Sequence, residues 1–122
     1  MMIHISDKCR YLLYNDNTDM RKSFHGLAAI VKYNMEYDVL NGDVYIFISK
    51  RRNAVKLLRF EGDGFAIFYK RLEKGTFETP AHDKKTNTLL LTDNDLIFIL
   101  KGISLKGIKY RLRYPQKKGI CE

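Results

Sequence analysis

The residues best suited to chemistry are cations in and beside a turn between two apolar runs. Lys50, Arg51 and Arg52 follow one another in this turn. A guanidinium can grip phosphate oxygens through two parallel hydrogen bonds, and an ammonium adds a point charge. Three such cations between apolar segments cannot all be buried without partners, so we expect solvent to reach them. The turn therefore predicts a phosphate-binding surface.

The charge of the whole chain favours the same kind of ligand. The 122 residues hold 22 Lys and Arg against 14 Asp and Glu, a formal net charge of +8. Nucleic acid is the commonest anionic partner of a small basic domain, although such a charge also keeps small proteins soluble. We expect nucleic acid, with DNA as the favoured form, to be bound by Arg21, Lys22, Lys50, Arg51, Arg52, Lys56, Lys70, Arg71, Lys109, Arg111 and Arg113.

Signals for a metal or a cofactor are weak by comparison. The histidines are scattered, and the cysteines, Cys9 and Cys121, form no CxxC pair, so we expect no metal ligands. No Walker loop, GxGxxG or GxSxG motif appears, and we expect no cofactor and no catalytic residue.

A nuclease is the weakest alternative. Metal-dependent cleavage of nucleic acid needs two or three carboxylates that converge on the metal. Asp19, Asp43, Glu61 and Asp63 are the candidates, but Glu61 and Asp63 flank a glycine in a turn, which more often reflects turn chemistry.

Three short apolar runs must position the turn that carries Lys50. Residues 44–48, 55–60 and 65–69 are rich in β-branched and aromatic residues, and Gly, Asn or Asp bound them. This composition is typical of strands, so the segment predicts an antiparallel meander whose aromatic residues fill the core. Residues 10–14 predict a further strand at the edge of the sheet.

Two helices are predicted outside the meander. In the first, apolar residues recur at helical spacing from Met20, and the helix ends near residues 33–37. The second follows a capping box formed by Thr92 and Asp95 and stops at Gly102. An antiparallel sheet usually buries one of its faces against helices. The sequence therefore predicts an α+β fold: an antiparallel sheet of about four to five strands with two helices packed on one face.

The length of the chain fits a single domain, residues 1–122, with a basic C-terminal segment at about 106–122. This segment is either an edge strand with one basic face or a tail that orders on an anionic ligand. No apolar run is long enough to span a bilayer and no signal-peptide pattern opens the chain, so we expect a cytoplasmic protein without a membrane partner.

Short motifs in a fixed order, from about residue 11 to residue 103, also carry information. They are Thr18-Asp-Met-Arg-Lys22, Gly26-Leu-Ala-Ala29, Lys50-Arg-Arg52, Lys56-Leu-Leu58, Lys70-Arg-Leu-Glu73 with Gly75, Phe77 and Pro80, and Lys101-Gly-Ile103. Together they resemble the small accessory protein of the insertion-sequence sixty-six family, often called TnpB or Orf2. Arg59 departs from the pattern, because the family usually has a bulky apolar residue there.

The resemblance implies a role in bacterial transposition beside a separate transposase. Combined with the cations, it predicts a non-catalytic accessory factor that binds nucleic acid during transposition of an insertion sequence. The alternative is a protein adapter that binds the transposase of the same element through the basic surface. The oligomeric state stays open.

Overall fold

The structure, a computed structural model, describes residues 5–80 and 86–102. Lys109, Arg111, Arg113 and the basic segment predicted at about 106–122 lie outside the described residues. In chain order the elements are β1 (Tyr11–Asn17), α1 (Phe24–Ala29), β2 (Val44–Ile48), β3 (Ala54–Phe60), β4 (Phe65–Arg71), β5 (Thr88–Leu91) and α2 (Asp93–Lys101). A π-helical segment, Ile30–Met35, continues α1, and a short 3-10 helix, Val39–Asn41, leads to β2.

Strand β2 is the centre of the sheet. The five strands lie in the order β4-β3-β2-β1-β5, and all five residues of β2 are buried. β2 pairs with β3 antiparallel and with β1 parallel. A strand covered on both faces is apolar at every position, which explains the unbroken Val-Tyr-Ile-Phe-Ile run of β2.

The two helices cover opposite faces of this sheet. On one side, called here the α1 face, Leu27 and Val31 pack with Tyr45 and Phe47 of β2. On the other, the α2 face, four residues of α2 pack in a cluster with the alternate residues of β2: Leu96, Ile97, Ile99 and Leu100 with Val44, Ile46 and Ile48. The expectation that both helices pack on one face is therefore corrected, because both faces of β2 are apolar and each needs a cover.

The fold class and the number of strands are confirmed, whereas the sheet is mixed and only mostly antiparallel. β1 lies inside the sheet, between β2 and β5, and not at its edge. The chain between β1 and β2 contains α1, and a crossover of this length allows the two strands to run parallel. β5, from the apolar residues before the capping box, then pairs with β1 antiparallel.

The predicted ends of the helices agree with the structure at three of four points. α1 begins at Phe24 and not at Met20, because the Thr18 N–H donates to the Ile48 carbonyl at 3.0 Å and a turn follows. The helical segment ends at residue 35, as expected. The Thr92–Asp95 capping box is present, and Gly102 ends α2 with a left-handed φ of 73°. No described helix is long and apolar enough to cross a membrane.

Packing of α1 can be tested by truncating the residue that points into the sheet. Leu27 is fully buried, so Leu27→Ala should lower the free energy of unfolding by about 2–5 kcal/mol. Phe24, in the same helix, is 42% exposed, and Phe24→Ala should cost less. Urea unfolding followed by circular dichroism measures both, and a larger loss for Phe24→Ala would reverse the assignment of faces.

Candidate nucleic-acid interface

The turn between β2 and β3 is closed by local hydrogen bonds. The Ser49 N–H donates to the Ala54 carbonyl at 3.0 Å, and the Ala54 N–H donates to Ser49 Oγ at 3.1 Å. Ser49 Oγ in turn donates to Asn53 Oδ1 at 3.2 Å. Because Ser49 and Asn53 satisfy the polar groups at the base of the turn, Lys50 and Arg51 at its tip are left exposed to solvent.

This tip borders a concave surface on the α1 face, which we call the basic groove. Its cavity measures about 280 Å³ and lies between the turn, the segment after β1 and the end of β4. The end of β4 is placed there by the register of the sheet, in which Arg71 pairs with Ala54. The lining residues are Thr18, Asp19, Met20, Ser49, Lys50, Arg51, Asn53, Ala54, Tyr69 and Arg71.

Three cations that line the groove have no partner among the described residues. Within residues 5–80 and 86–102, the side chains of Lys50, Arg51 and Arg71 make no hydrogen bond or ion pair. All three are exposed, and one carboxylate, Asp19, lines the groove with them. Three unpaired cations around one cavity produce a positive potential that attracts an anion.

Two further predicted residues lie at the margin of the groove. Lys56 Nζ lies 5.1 Å from the centroid of the Tyr69 ring, within the range of a cation–π contact. The same Nζ donates to the Lys22 carbonyl at 2.7 Å. Lys56 therefore joins the sheet to the segment that precedes α1 and holds Lys22 beside the groove.

Arg21 is held by Asp19. Its Nε and Nη2 lie 3.1 and 2.8 Å from the Asp19 carboxylate, and its backbone N–H donates to the same carboxylate at 2.9 Å. These hydrogen bonds lower the pKa of Asp19 to about 2. At neutral pH the charge of Asp19 is thus matched by Arg21 and does not neutralise the other cations of the groove.

The structure does not bring Arg52 and Lys70 to the groove. Arg52 adopts a left-handed φ of 63°, and its guanidinium donates to Thr79 Oγ1 at 2.7 Å and to the Phe77 carbonyl at 3.4 Å. Side chains alternate between the two faces of β4, and Lys70 therefore lies on the α2 face, opposite the groove. Its Nζ donates to the Leu100 carbonyl at 2.7 Å, near the C-terminal end of α2. Both cations thus connect parts of the fold.

The candidate acids of a nuclease are dispersed. Asp43 is buried and accepts hydrogen bonds from Arg10 and Asn41, whereas Glu61 and Asp63 lie exposed in the turn between β3 and β4. In the described part of the chain, no group of three or more His, Cys, Asp or Glu residues is arranged to hold a metal ion.

Sequence reasoning missed Tyr69 and Thr18. Aromatic residues of the sheet are expected in the core, but Tyr69 is 49% exposed because β4 is an edge strand of the described sheet. Its alternation with Arg71 is a usable signal, since residues two apart share a face of a strand. Thr18 gives no signal, because its burial depends on the contact with Ile48 across the sheet.

Arg51 and Arg52 are adjacent, yet their substitutions should differ. Arg52→Ala removes the hydrogen bonds to Phe77 and Thr79 and should lower the free energy of unfolding by about 1 kcal/mol. Arg51→Ala removes no contact within the described residues and should stay within about 0.5 kcal/mol. Thermal and urea unfolding of both variants would show this. Equal losses would mean that the guanidinium of Arg52 does not anchor residues 77–79.

The Arg21–Asp19 pair can be tested by titration. Arg21→Ala should raise the pKa of Asp19 from about 2 toward its ordinary value of 3.8, only in part because the backbone N–H of residue 21 still donates. A lowered carboxyl pKa stabilises the fold above pH 3.8, and this stabilisation disappears as the pH falls through 2. An NMR titration of the Asp19 carboxyl carbon measures the shift. Lys22→Ala should have a smaller effect, and an unchanged pKa in Arg21→Ala would refute the pairing.

Comparison with known proteins gives the family. Residues 9–110 match the model of the family described as IS66 Orf2-like protein. Two similar relatives are the uncharacterized proteins y4hO and y4jC of Sinorhizobium fredii strain NGR234, each 26% identical. The first alignment covers 95% of this chain and 93% of the relative, and the second covers 96% of each. No solved structure matches. The chain belongs to the IS66 Orf2-like family, which associates it with the transposition of insertion sequences.

Proposed function

We propose that this protein is a non-catalytic accessory factor that binds nucleic acid through the basic groove during transposition. It acts in the cytoplasm beside the transposase of the same element and needs no cofactor. DNA is the expected nucleic acid, because the mobile element is itself DNA.

The observation that carries this proposal is the convergence of Lys50, Arg51 and Arg71 on one cavity, where none of the three has a partner within residues 5–80 and 86–102. Like charges held close together destabilise a fold, so a cluster of this kind is favoured where an anion neutralises it. A phosphate backbone supplies a row of such charges, and each cation that contacts it releases a bound counterion. Arg51 and Arg71 can hold phosphate oxygens bidentately, which also orients the strand.

Phosphate contacts position a protein on nucleic acid but do not read its sequence. Among the described residues, the charged side chains of the groove without a partner are Lys50, Arg51 and Arg71, so we expect binding through these cations to depend weakly on sequence. Selection of the ends of the element is then expected to come from the transposase.

Dispersal of the candidate carboxylates supports a non-catalytic role. Asp19 is matched by Arg21, and Asp43 by Arg10. Neither carboxylate is available to share a metal ion without breaking its ion pair, which raises the cost of two-metal chemistry at these residues.

The proposal predicts that removal of the unpaired cations lowers both the affinity and its salt dependence. In Lys50→Ser/Arg51→Ser/Arg71→Ser, the slope of log K against log salt should fall by roughly 2 to 3, at about 0.7 to 0.9 for each lost phosphate contact. Fluorescence anisotropy with a labelled DNA measures the slope, and transposition of a matching element should drop in cells that supply the transposase. The thermal midpoint should change little, because these side chains are exposed.

The matched control is Lys8→Ser/Lys32→Ser/Lys101→Ser, which removes the same charge from exposed residues outside the groove. It should keep most of the wild-type affinity and slope. Equal losses in both triple variants would mean that net charge alone, and not the groove, binds nucleic acid. Wild-type binding of nucleic acid together with lost transposition in the groove variant would favour the protein adapter.

A further inference from the structure

Tyr69 gives the basic groove a second kind of binding group. It is the aromatic residue among those that line the cavity, and 49% of its surface is exposed. The ring lies on the edge strand β4, in the same row as Arg71 and opposite Lys56 on β3. An exposed aromatic ring among cations is typical of surfaces on which nucleic-acid bases stack.

The orientation of this ring is set by Lys56. The ammonium approaches the ring to 5.1 Å from the centroid and is itself held by the Lys22 carbonyl at 2.7 Å. A ring with one face against a fixed cation has its other face available to a planar ligand. A single base can therefore stack on it, and the cation–π contact reduces the entropy that stacking would otherwise cost.

Thr18 adds a buried polar group beside the same cavity. Only 4% of the residue is exposed, and its Oγ1 has no hydrogen-bond partner within the described part of the chain. A buried hydroxyl without a hydrogen-bond partner is unfavourable, because it has lost its hydrogen bonds to water without replacing them. A ligand atom that reached the floor of the cavity after a rotation of this side chain would satisfy the hydroxyl, and a phosphate or sugar oxygen has the required acceptor chemistry.

We propose that the basic groove binds an unpaired nucleotide of a single strand. Its base stacks on Tyr69, and its phosphate lies among Lys50, Arg51 and Arg71. The inference rests on the proposed function and narrows the ligand to single-stranded nucleic acid or an unpaired end. A cavity of 280 Å³ is close to the lower end of ligand pockets, about 300 Å³, so it suits one nucleotide unit. In a duplex, bases stack on one another and offer Tyr69 no free face.

The test compares ligands of equal charge that differ in their bases. The probes are oligothymidylate of about ten nucleotides, within the site size of small single-strand-binding domains, and an abasic strand of the same length. The wild-type protein should bind oligothymidylate about 5- to 150-fold more tightly than the abasic strand, which is the usual range for stacking one base. A hairpin duplex of the same charge should bind like the abasic strand.

Variants of Tyr69 assign this difference to the ring. Tyr69→Phe keeps the ring and should keep the preference, whereas Tyr69→Leu should lower the ratio of the two affinities to about one. The wild-type comparison of oligothymidylate with the abasic strand tests base stacking by itself. Base stacking can therefore be tested even if Tyr69→Leu folds poorly, and Tyr69→Phe then shows whether the ring without its hydroxyl is enough. Thymidine monophosphate as a competitor distinguishes a strand from a free nucleotide.

Each outcome decides between the two proposals. Equal binding of oligothymidylate and the abasic strand would overturn the inference and leave electrostatic binding through the groove intact. A preference for bases that persisted in Tyr69→Leu would also overturn the inference, because the ring would then not be the stacking surface. Displacement of the strand by thymidine monophosphate at concentrations near those of the strand would make the ligand a free nucleotide. Failure to bind any strand at low salt would overturn the proposed function itself.

Discussion

Burial of β2 on both faces is the constraint from which the arrangement of the charged residues follows. Its five residues are buried, because α1 packs on the α1 face and α2 packs on the α2 face. An unpaired charge inside such a sandwich costs several kcal/mol. β2 accordingly carries no charged side chain, and Lys50, Arg51 and Arg71 lie in the turn after β2 and at the end of the edge strand β4. The exposed tip of this turn carries Lys50 and Arg51.

The same constraint divides the cations into two groups. Arg52 and Lys70 donate to oxygens of the fold, at Thr79 and Leu100, and so connect segments that are distant in sequence. Lys50, Arg51 and Arg71 have no such partner in the described chain and surround a cavity. Net charge does not distinguish the two groups, although their availability to a ligand differs. Only a cation whose donors are free can replace the counterions of a phosphate without first breaking a bond within the protein.

The local part of this structure can be predicted from the sequence, and the long-range part cannot. Residues 44–71 form the predicted meander, and α2 has the predicted cap and stop, because turns and caps depend on neighbouring residues. Alternation also places Lys56 and Arg59 on different faces. It does not reveal that β1 runs parallel to β2, or that each face has its own helix, since both depend on partners far along the chain. The left-handed backbone that turns Arg52 away from Arg51 has no glycine to signal it.

The edge position of β4 connects the fold to the chemistry of the groove. A central strand of this sheet has no exposed aromatic ring, as Tyr45 and Phe47 show, because helices and neighbouring strands cover it. β4 has no outer neighbour among the described strands, so about half of the surface of Tyr69 is exposed to solvent. Lys56 contacts its ring and orients it. Lys50, Arg51 and Arg71 line the same cavity, and like charges gathered around one cavity repel one another. A bound anion would relieve the mutual repulsion of these cations, and this is the physical reason for proposing an anionic ligand at the groove.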